Sequence, residues 1–354
     1  MKRLKASLKW FILGGVFFFL FQTLQANWKD ISTIRVTAAG WACIVAATGI
    51  TLLAHIWSGW VWGWILGELN HPQAMGSWSV ITYLKTNIAK YLPGNIWHFY
   101  GRVMTAKSID IPIEASTVSV VMEALLMAAS ALLVGLLSSQ QLNIALQLLC
   151  LIVGLLSVHP RLLNRLLKRL KVGKLQSVLR LQNLKGVKRQ KAEGRRQKNP
   201  PLAPPRRGIG VAQLPNSSTP QLSNSPKSKI PTGSTQLKRY PFLPLFGELI
   251  FLGFRSLGFV AVLMALTSLN WSELPAVLSG FSLAWMLGLV IPGAPGGIGV
   301  FEATAIALLG QSTTLSTGII LSAVALYRLV STLAEAIGAG VAWLDEQQMA
   351  KRNA

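Results

Sequence analysis

The stretch Leu289-Val-Ile-Pro-Gly-Ala-Pro-Gly-Gly-Ile-Gly-Val-Phe-Glu302 interrupts an apolar segment with two prolines and four glycines, then resumes as an apolar helix. Proline removes a helical hydrogen bond and glycine weakens a helix, so this composition is costly inside a bilayer. Non-helical backbone is tolerated at membrane depth only where protein or a water-filled cavity surrounds it. Because Glu302 lies beside the break, the stretch predicts a broken helix at a substrate site. The alternative is a cytoplasmic turn, with Glu302 in the first turn of the next helix, where a carboxylate suits the helix dipole.

The composition of the whole chain indicates an integral membrane protein. Hydrophobic residues make up 51% of the 354 residues and charged residues 13%, with a mean hydropathy of +0.46, which favours several spanning helices over a large soluble domain. Cys43 and Cys150 both lie in apolar runs. We therefore predict neither a disulfide framework nor a metal site, and no cofactor.

Apolar runs predict an all-α, polytopic membrane helix bundle of about eight spans. The runs are 10–24, 38–66, 115–137, 142–158, 242–269, 275–291, 298–309 and 317–344. The run 298–309 is short for a full span, which predicts a half-helix or re-entrant limb. The segment 67–112 is too polar for an ordinary span, and its entry into the membrane is left open. Four tryptophans near the end of the second run are expected to form an interfacial belt: Trp57, Trp60, Trp62 and Trp64.

The charge distribution divides the chain into four parts. Membrane helices occupy 1–158 and 241–344, a basic loop occupies 159–240, and 345–354 is a tail. The loop holds 20 Lys and Arg against one acid, Glu193, and thus +19 of the total charge of +22. Positive-inside bias places the loop and both termini in the cytoplasm, and the loop's location argues against nucleic acid as a partner.

Two parts of the basic loop differ in composition. Arg161–Arg189 has apolar residues at helical spacing, which fits an amphipathic helix on anionic lipid headgroups. The favoured interpretation is a topology signal without lipid specificity. The range 199–235 is rich in Pro, Ser, Gly and Gln and is expected to be disordered.

Charges also occur inside the apolar runs. An unpaired carboxylate is costly there, so Glu123 is expected to face the interior of the bundle. Glu248 and Arg255 are seven residues apart, as are Arg328 and Glu335, so each pair lies on roughly one helix face. Glu248 is expected to be a snorkelling charge at the membrane edge, with a polar path as the alternative.

Two motifs together carry a resemblance to a known family: Tyr91-Leu-Pro-Gly-Asn-Ile-Trp-His-Phe-Tyr-Gly-Arg102 and Pro292-Gly-Ala-Pro-Gly-Gly-Ile-Gly-Val-Phe-Glu302. With both, the chain resembles the lysylphosphatidylglycerol synthase transmembrane-region family. That family includes the flippase part of the bacterial multiple peptide resistance factor and many stand-alone membrane proteins. The similarity covers nearly the whole chain apart from the basic loop, and it implies a bacterial-type inner (plasma) membrane.

The resemblance also bears on enzymatic activity. In two-domain members a soluble aminoacyl transferase domain follows the membrane part and makes the lipid, which the membrane part moves between leaflets. The chain runs about ten residues past its last predicted span. We therefore expect this chain to be a family member without the transferase domain, and we do not expect it to synthesise lysylphosphatidylglycerol.

The leading hypothesis for function is translocation of a polar or charged membrane lipid. The elements around Pro93 and around Pro292 are expected to break helices near each other and form a polar cavity, with helix amino termini receiving a phosphate. Arg102 and Arg328 are expected to bind this phosphate, and Glu302 to receive a headgroup amine or pair with an arginine. A purely structural ion pair inside the bundle is the alternative. The predicted substrate-binding residues are Glu302, Arg328, Arg102, Pro292, Gly293, Gly296, Gly297, Gly299, Pro93, Gly94, Asn95 and His98.

Two alternatives from other classes stay open. One is a membrane transferase acting on a polyprenyl-phosphate donor, an activity linked to related stand-alone members, with His98, Glu123 or Glu302 as general base. The chain has no DxD pair, HExxH, P-loop or serine-triad motif, so no catalytic or metal-binding residue is assigned. The other alternative is a scaffold whose basic loop recruits an acidic partner or an anionic membrane. A homo-oligomer is compatible with each hypothesis.

Overall fold

The computed structural model describes residues 28–92, 96–138, 239–291 and 299–352, with a few isolated positions elsewhere. All regular elements in this described part are helical. The α-helices are α1 (Trp28–Thr33), α2 (Ala38–Glu68), α3 (Ser77–Asn87), α4 (Trp97–Lys107), α5 (Ile113–Leu137), α6 (Phe242–Leu266), α7 (Leu274–Val290), α8 (Val300–Ser312) and α9 (Thr317–Arg352). Short 3₁₀ turns occupy Pro72–Ala74, Ile88–Tyr91 and Trp271–Glu273.

Five helical segments within the described ranges are long and apolar enough to cross a membrane: Ala38–Glu68, Ile113–Leu137, Phe242–Leu266, Trp271–Val290 and Thr317–Gln348. The prediction of an all-helical membrane bundle is thus confirmed, and the protein is an integral membrane protein. α8 is shorter, at 13 residues. The predicted runs 10–24 and 142–158 and the basic loop lie almost wholly outside the described residues.

The polar segment 67–112 folds into two short helices, α3 and α4, of 11 residues each. Eleven residues rise only about 17 Å, which is too short to cross a bilayer. α3 packs against α2 and α9, and α4 packs against α3 and α5. The segment therefore brings polar side chains against the long apolar helices.

The prediction that Trp62 belongs to an interfacial tryptophan belt is wrong. This side chain is fully buried, and its indole Nε1 donates to the Ser119 hydroxyl at 3.1 Å. It also stacks on Trp78, with ring centroids 5.7 Å apart. Trp60 is 46% exposed, so neighbouring tryptophans on α2 face different surroundings. The contacts that bury Trp62 come from Trp78 on α3 and Ser119 on α5, and the sequence pattern of α2 does not show them.

α2 and α6 approach closely because glycines lie between them. A Cβ on Gly40 would lie 2.8 Å from the Ala265 carbonyl oxygen, and one on Gly258 would lie 2.7 Å from the Thr51 hydroxyl. Membrane helices commonly pack through small residues of this kind, since lipid gives little hydrophobic force between helices. This contact holds the predicted run 38–66 of the first half of the chain against the run 242–269 of the second half.

A cluster of four aromatic rings joins α6, α7, α8 and α9. Phe259 stacks on Phe281 at a centroid distance of 5.0 Å, and Phe281 meets Tyr327 edge-on at 5.4 Å. Phe301 meets Phe281 edge-on at 5.7 Å. All four rings are nearly inaccessible. Edge-to-face pairs add to the hydrophobic gain from burial. The cluster therefore holds the four helices together next to the candidate site, which Phe301 and Tyr327 line.

Candidate substrate site

A cavity of about 310 Å³ lies at the centre of the described helices. Every helix from α2 to α9 contributes to its wall. Its polar lining consists of His55, Tyr83, Asn87, Lys90, His98, Arg102, Glu123, Arg255, Tyr327, Arg328 and Ser331. Its apolar lining includes Leu125, Met127, Phe251, Trp285, Leu289, Val290 and Phe301. The wall is therefore amphipathic, because cationic side chains and aromatic and aliphatic groups all contribute to it.

The described flanks of both Pro/Gly elements line this one cavity. Lys90 and His98 flank the first element, and Val290 and Phe301 flank the second. The predicted site residues within the elements lie outside the described residues: Pro93, Gly94, Asn95, Pro292, Gly293, Gly296 and Gly297. The two motifs, about 200 residues apart in sequence, are thus brought together through their flanks.

Glu302 lies in the first turn of α8 and is also part of an ion pair. One of its carboxylate oxygens accepts from the Gly299 amide at 2.5 Å, and the other accepts from Arg328 Nε at 2.5 Å. Gly299 has a φ of +95°, which a residue with a side chain rarely adopts, so glycine is needed where α8 begins. Glu302 is buried behind the cavity wall, whereas Arg328 lines it and lies 5.0 Å from the centre of the Phe301 ring. Glu302 therefore lies at a helix amino terminus, where a carboxylate suits the helix dipole, and also pairs with an arginine.

Arg102 and Glu123 form a second ion pair inside the bundle. Both side chains are about 2% exposed, and Arg102 Nη1 donates to a Glu123 carboxylate oxygen. The guanidinium also lies 3.9 Å from the centre of the Tyr83 ring, a stacking geometry that arginine favours. Arg102 Nε has no hydrogen-bond partner in the described part of the protein. Glu123 faces the interior, as a costly buried charge should.

A third cluster was not recognised as a site from the sequence. Glu335 Oε1 accepts from Lys90 Nζ at 2.6 Å and lies 3.1 Å from His55 Nε2. Arg255 Nη1 donates to the Ser331 hydroxyl at 2.8 Å, and that hydroxyl donates onward to Glu335 at 3.3 Å. The sequence does show Arg255 and Glu335 as charges inside apolar runs. Nothing in the sequence of α2 indicates that His55 contacts Glu335.

Two ionisable residues of the cavity wall, Lys90 and His98, lie outside the spanning helices, and burial lowers the pKa of each. It lowers the pKa of Lys90 below the usual value for lysine, while the Glu335 carboxylate opposes this shift. Burial, together with the positive charges of Arg102 and Lys90, lowers the pKa of His98 to about 3. His98 is therefore neutral at physiological pH, and its Nδ1 has no partner among the described residues.

The expected snorkelling position of Glu248 is wrong. Glu248 is fully buried, and neither of its carboxylate oxygens has a hydrogen-bond partner within the described part of the chain. It interacts electrostatically with Glu123 and Arg102. α6 packs against both α2 and α5, and a hydropathy pattern does not show this packing.

Among the described residues, no group of three or more His, Cys, Asp or Glu side chains is arranged to hold a metal ion. The polar side chains of the cavity offer ionic recognition and hydrogen bonding. Its charged groups are held by buried partners, which fixes their positions before any ligand arrives.

Comparisons with known proteins agree with the fold. The family model described as the lysylphosphatidylglycerol synthase TM region matches residues 7–338. A search of curated proteins found no match.

Proposed function

The chain belongs to the lysylphosphatidylglycerol synthase transmembrane-region family, and from this membership and the cavity geometry we propose that it translocates a polar or charged lipid between the leaflets of a bilayer. The observation that carries the proposal is the amphipathic cavity among membrane-spanning helices, reached by the flanks of both Pro/Gly elements. Ionisable residues inside a membrane bundle are costly and mark substrate pathways. A lipid headgroup meets the charged wall, and its glycerol and acyl carbons meet the apolar wall.

In this mechanism the headgroup leaves one leaflet, occupies the cavity and exits to the other, while the acyl chains stay in the hydrocarbon region. The paired charges lower the barrier because they replace part of the headgroup's hydration. Arg328 is suited to a direct role, since it lines the cavity and a quarter of its side chain stays accessible. Glu302 positions Arg328 through their hydrogen bond.

The topology that goes with the proposal is the one derived from the sequence, with both termini and the basic loop on the cytoplasmic side of a bacterial-type plasma membrane. Membrane lipids are then the partners of the protein, and anionic headgroups lie opposite the basic loop.

The proposal is tested by leaflet-resolved scrambling in proteoliposomes that contain the purified protein. Headgroup-labelled anionic, zwitterionic and aminoacylated phospholipids are compared in wild type, Glu302→Gln and Arg328→Gln. We expect wild type to move at least one lipid class and both variants to lose about tenfold or more in rate, because a charge-assisted contact is lost. Absence of movement for every lipid, with folded protein, would refute unassisted translocation of these lipids.

A matched control variant is Lys85→Gln. Lys85 pairs with Glu346 through side chains that are 47% and 57% exposed, and neither residue lines the cavity. An exposed pair of this kind contributes about 1 kcal/mol or less, so this variant should scramble like wild type. Equal losses in Lys85→Gln and Arg328→Gln would show that the assay reports damage to the protein and not the site.

The transferase alternative draws little support from the same cavity. His98 lines the cavity, but a pKa of about 3 makes this imidazole a weak base at neutral pH. If no lipid moves, transfer from labelled polyprenyl-phosphate donors is the assay that follows.

A further inference from the structure

Arg255 differs from the other cations of the cavity. Its side chain is 7% exposed, and it lines the cavity from the middle of α6. Lys90, Arg102 and Arg328 each have a carboxylate partner: Glu335, Glu123 and Glu302. No carboxylate of the described residues lies within ion-pair distance of Arg255. Its Nε has no hydrogen-bond partner there either.

The two side chains within hydrogen-bond distance of the Arg255 guanidinium, His55 and Ser331, carry no negative charge. His55 Nδ1 lies 3.5 Å from the Asn87 amide nitrogen, which is a donor, so Nδ1 is the acceptor and the proton is on Nε2. That proton points to Glu335 Oε1 at 3.1 Å, so Nε2 has no lone pair to offer Arg255 Nη1 at 3.3 Å. The Ser331 hydroxyl is then the acceptor that remains, and it carries no charge.

An arginine that only supported the fold would have its donors satisfied. The Tyr327 ring lies 5.2 Å from the Arg255 guanidinium, and the Tyr327 hydroxyl donates to the backbone carbonyl of Arg255 and not to its side chain. The ring supports the guanidinium without using its N–H groups. A buried guanidinium with an unused N–H is costly, and a bound oxyanion removes this cost.

The surroundings of Arg255 also fit the rest of a phospholipid. Two further nitrogens without partners, Arg102 Nε and His98 Nδ1, belong to residues of the same cavity wall. Phe251 and Trp285 belong to the apolar part of the same cavity wall. Glu248, the carboxylate without a partner, does not line the cavity and interacts with Glu123 and Arg102 instead.

We propose that Arg255 is the anchor for the phosphate group of the lipid that enters the cavity, so that the site selects lipids with a phosphodiester over lipids with an uncharged headgroup. This inference rests on the proposed function, because it names the chemical class of the translocated lipid. A phosphodiester carries one negative charge, which balances the one guanidinium of the described wall that lacks a carboxylate. Arginine is suited to this task because its planar donors match phosphate oxygens in pairs.

The test is an equilibrium binding measurement on the purified full chain in a phosphate-free maltoside detergent. The probes are a short-chain phosphatidylglycerol, a short-chain glycosyl diacylglycerol without phosphate, and inorganic phosphate. Binding is followed by tryptophan fluorescence, since Trp285 lines the cavity, and is checked by calorimetry. The variants are Arg255→Gln, Arg255→Lys and Ser331→Ala, with Lys85→Gln as the surface control.

We expect wild type and Lys85→Gln to bind the phosphatidylglycerol about tenfold or more tightly than the glycolipid, which is the scale of one lost charge-assisted hydrogen bond. Arg255→Gln should bind the two lipids equally, and Arg255→Lys should keep part of the preference. Ser331→Ala frees the guanidinium from its one hydroxyl partner and should change phosphatidylglycerol binding more than glycolipid binding. This variant keeps the test decisive if Arg255→Gln does not fold. Inorganic phosphate should compete with the phosphatidylglycerol.

Three results would overturn the assignment: equal binding of the two lipids by wild type, an unchanged preference in folded Arg255→Gln, or tight binding of inorganic phosphate with no binding of either lipid. The third result would indicate a site for free phosphate. Binding does not require transport, so the two proposals fail separately. A phosphate preference without scrambling refutes translocation alone, and scrambling without a phosphate preference refutes the role of Arg255 alone.

Discussion

Glu302 accepts hydrogen bonds from the Gly299 amide and from Arg328, and each contact constrains a different part of the site. The first contact fixes the start of α8 after the Pro/Gly element, and the second holds an arginine at the cavity wall. A buried carboxylate is stable only with such partners. At the scale of single residues, the site is therefore a set of charges whose partners, and not their exposure, decide their role.

Glu123 and Glu248 provide a test of this view, because both are buried and only one has an ion-pair partner among the described residues. We expect Glu123→Met to cost about 3–5 kcal/mol of stability, since it leaves the Arg102 charge buried without its partner. Glu248→Met removes a carboxylate whose oxygens have no donor, and it should leave stability unchanged or raise it. Thermal and chemical unfolding in detergent would measure both. Equal destabilisation by the two substitutions would contradict the assignment.

The sequence predicted some of these residues and missed others for a physical reason. Glu302, Arg102 and His98 stand in the glycine- and proline-rich motifs, and Arg328 stands as a positive charge inside the last apolar run, so local composition pointed to all four. His55 and Glu335 do not, and the contact between Lys90 and Glu335 joins residues 245 positions apart. Such pairs follow from helix packing, which hydropathy and motif spacing do not encode.

At the scale of elements, hydropathy was a good guide because the bilayer sets helix length. The predicted runs 115–137 and 275–291 correspond to Ile113–Leu137 and Leu274–Val290. The short run 298–309 corresponds to Val300–Ser312, which begins at Gly299 with its positive φ. The short helices α3 and α4 were not predicted as elements, because their mixed composition gives neither a spanning run nor a clear periodicity.

The packing of α3 on α2 positions part of the cavity wall and can be tested at one glycine. A Cβ on Gly59 would lie 2.8 Å from Val80 Cα and 3.0 Å from Tyr83 Cβ, so Gly59→Ala should push α3 away from α2. We expect lower thermal stability and slower lipid scrambling, because Tyr83 supports the Arg102 guanidinium.

Gly49 on the same helix is the matched control, since a Cβ there would meet nothing within 4 Å. Gly49→Ala should be neutral or stabilise the protein by up to about 1 kcal/mol through helix propensity. The same loss of stability and of scrambling in Gly49→Ala and Gly59→Ala would show that the α2–α3 contact is not what the substitution affects.

At the scale of the whole molecule, the charge of the chain and the proposed chemistry lie in different places. The basic loop carries +19, whereas the cavity is lined by residues between His55 and Ser331 that all lie outside 159–240. The cavity walls come from both membrane halves, 1–158 and 241–344, so neither half contains the site alone. The loop separates the two halves in sequence and contributes no described residue to the lining.

This separation predicts that deletion of residues 190–238 leaves lipid scrambling within about twofold of wild type, because the positive charges nearest the membrane helices, which set topology, remain in place. Scrambling in proteoliposomes and thermal unfolding of the deletion variant would measure this, and protease accessibility of the carboxyl tail would check orientation. If the loop instead recruits an acidic partner or an anionic membrane surface, deletion should abolish function in cells while scrambling by the purified protein persists. Loss of scrambling by a folded, correctly oriented deletion variant would place the loop in the transport mechanism and contradict a site built by the membrane helices alone.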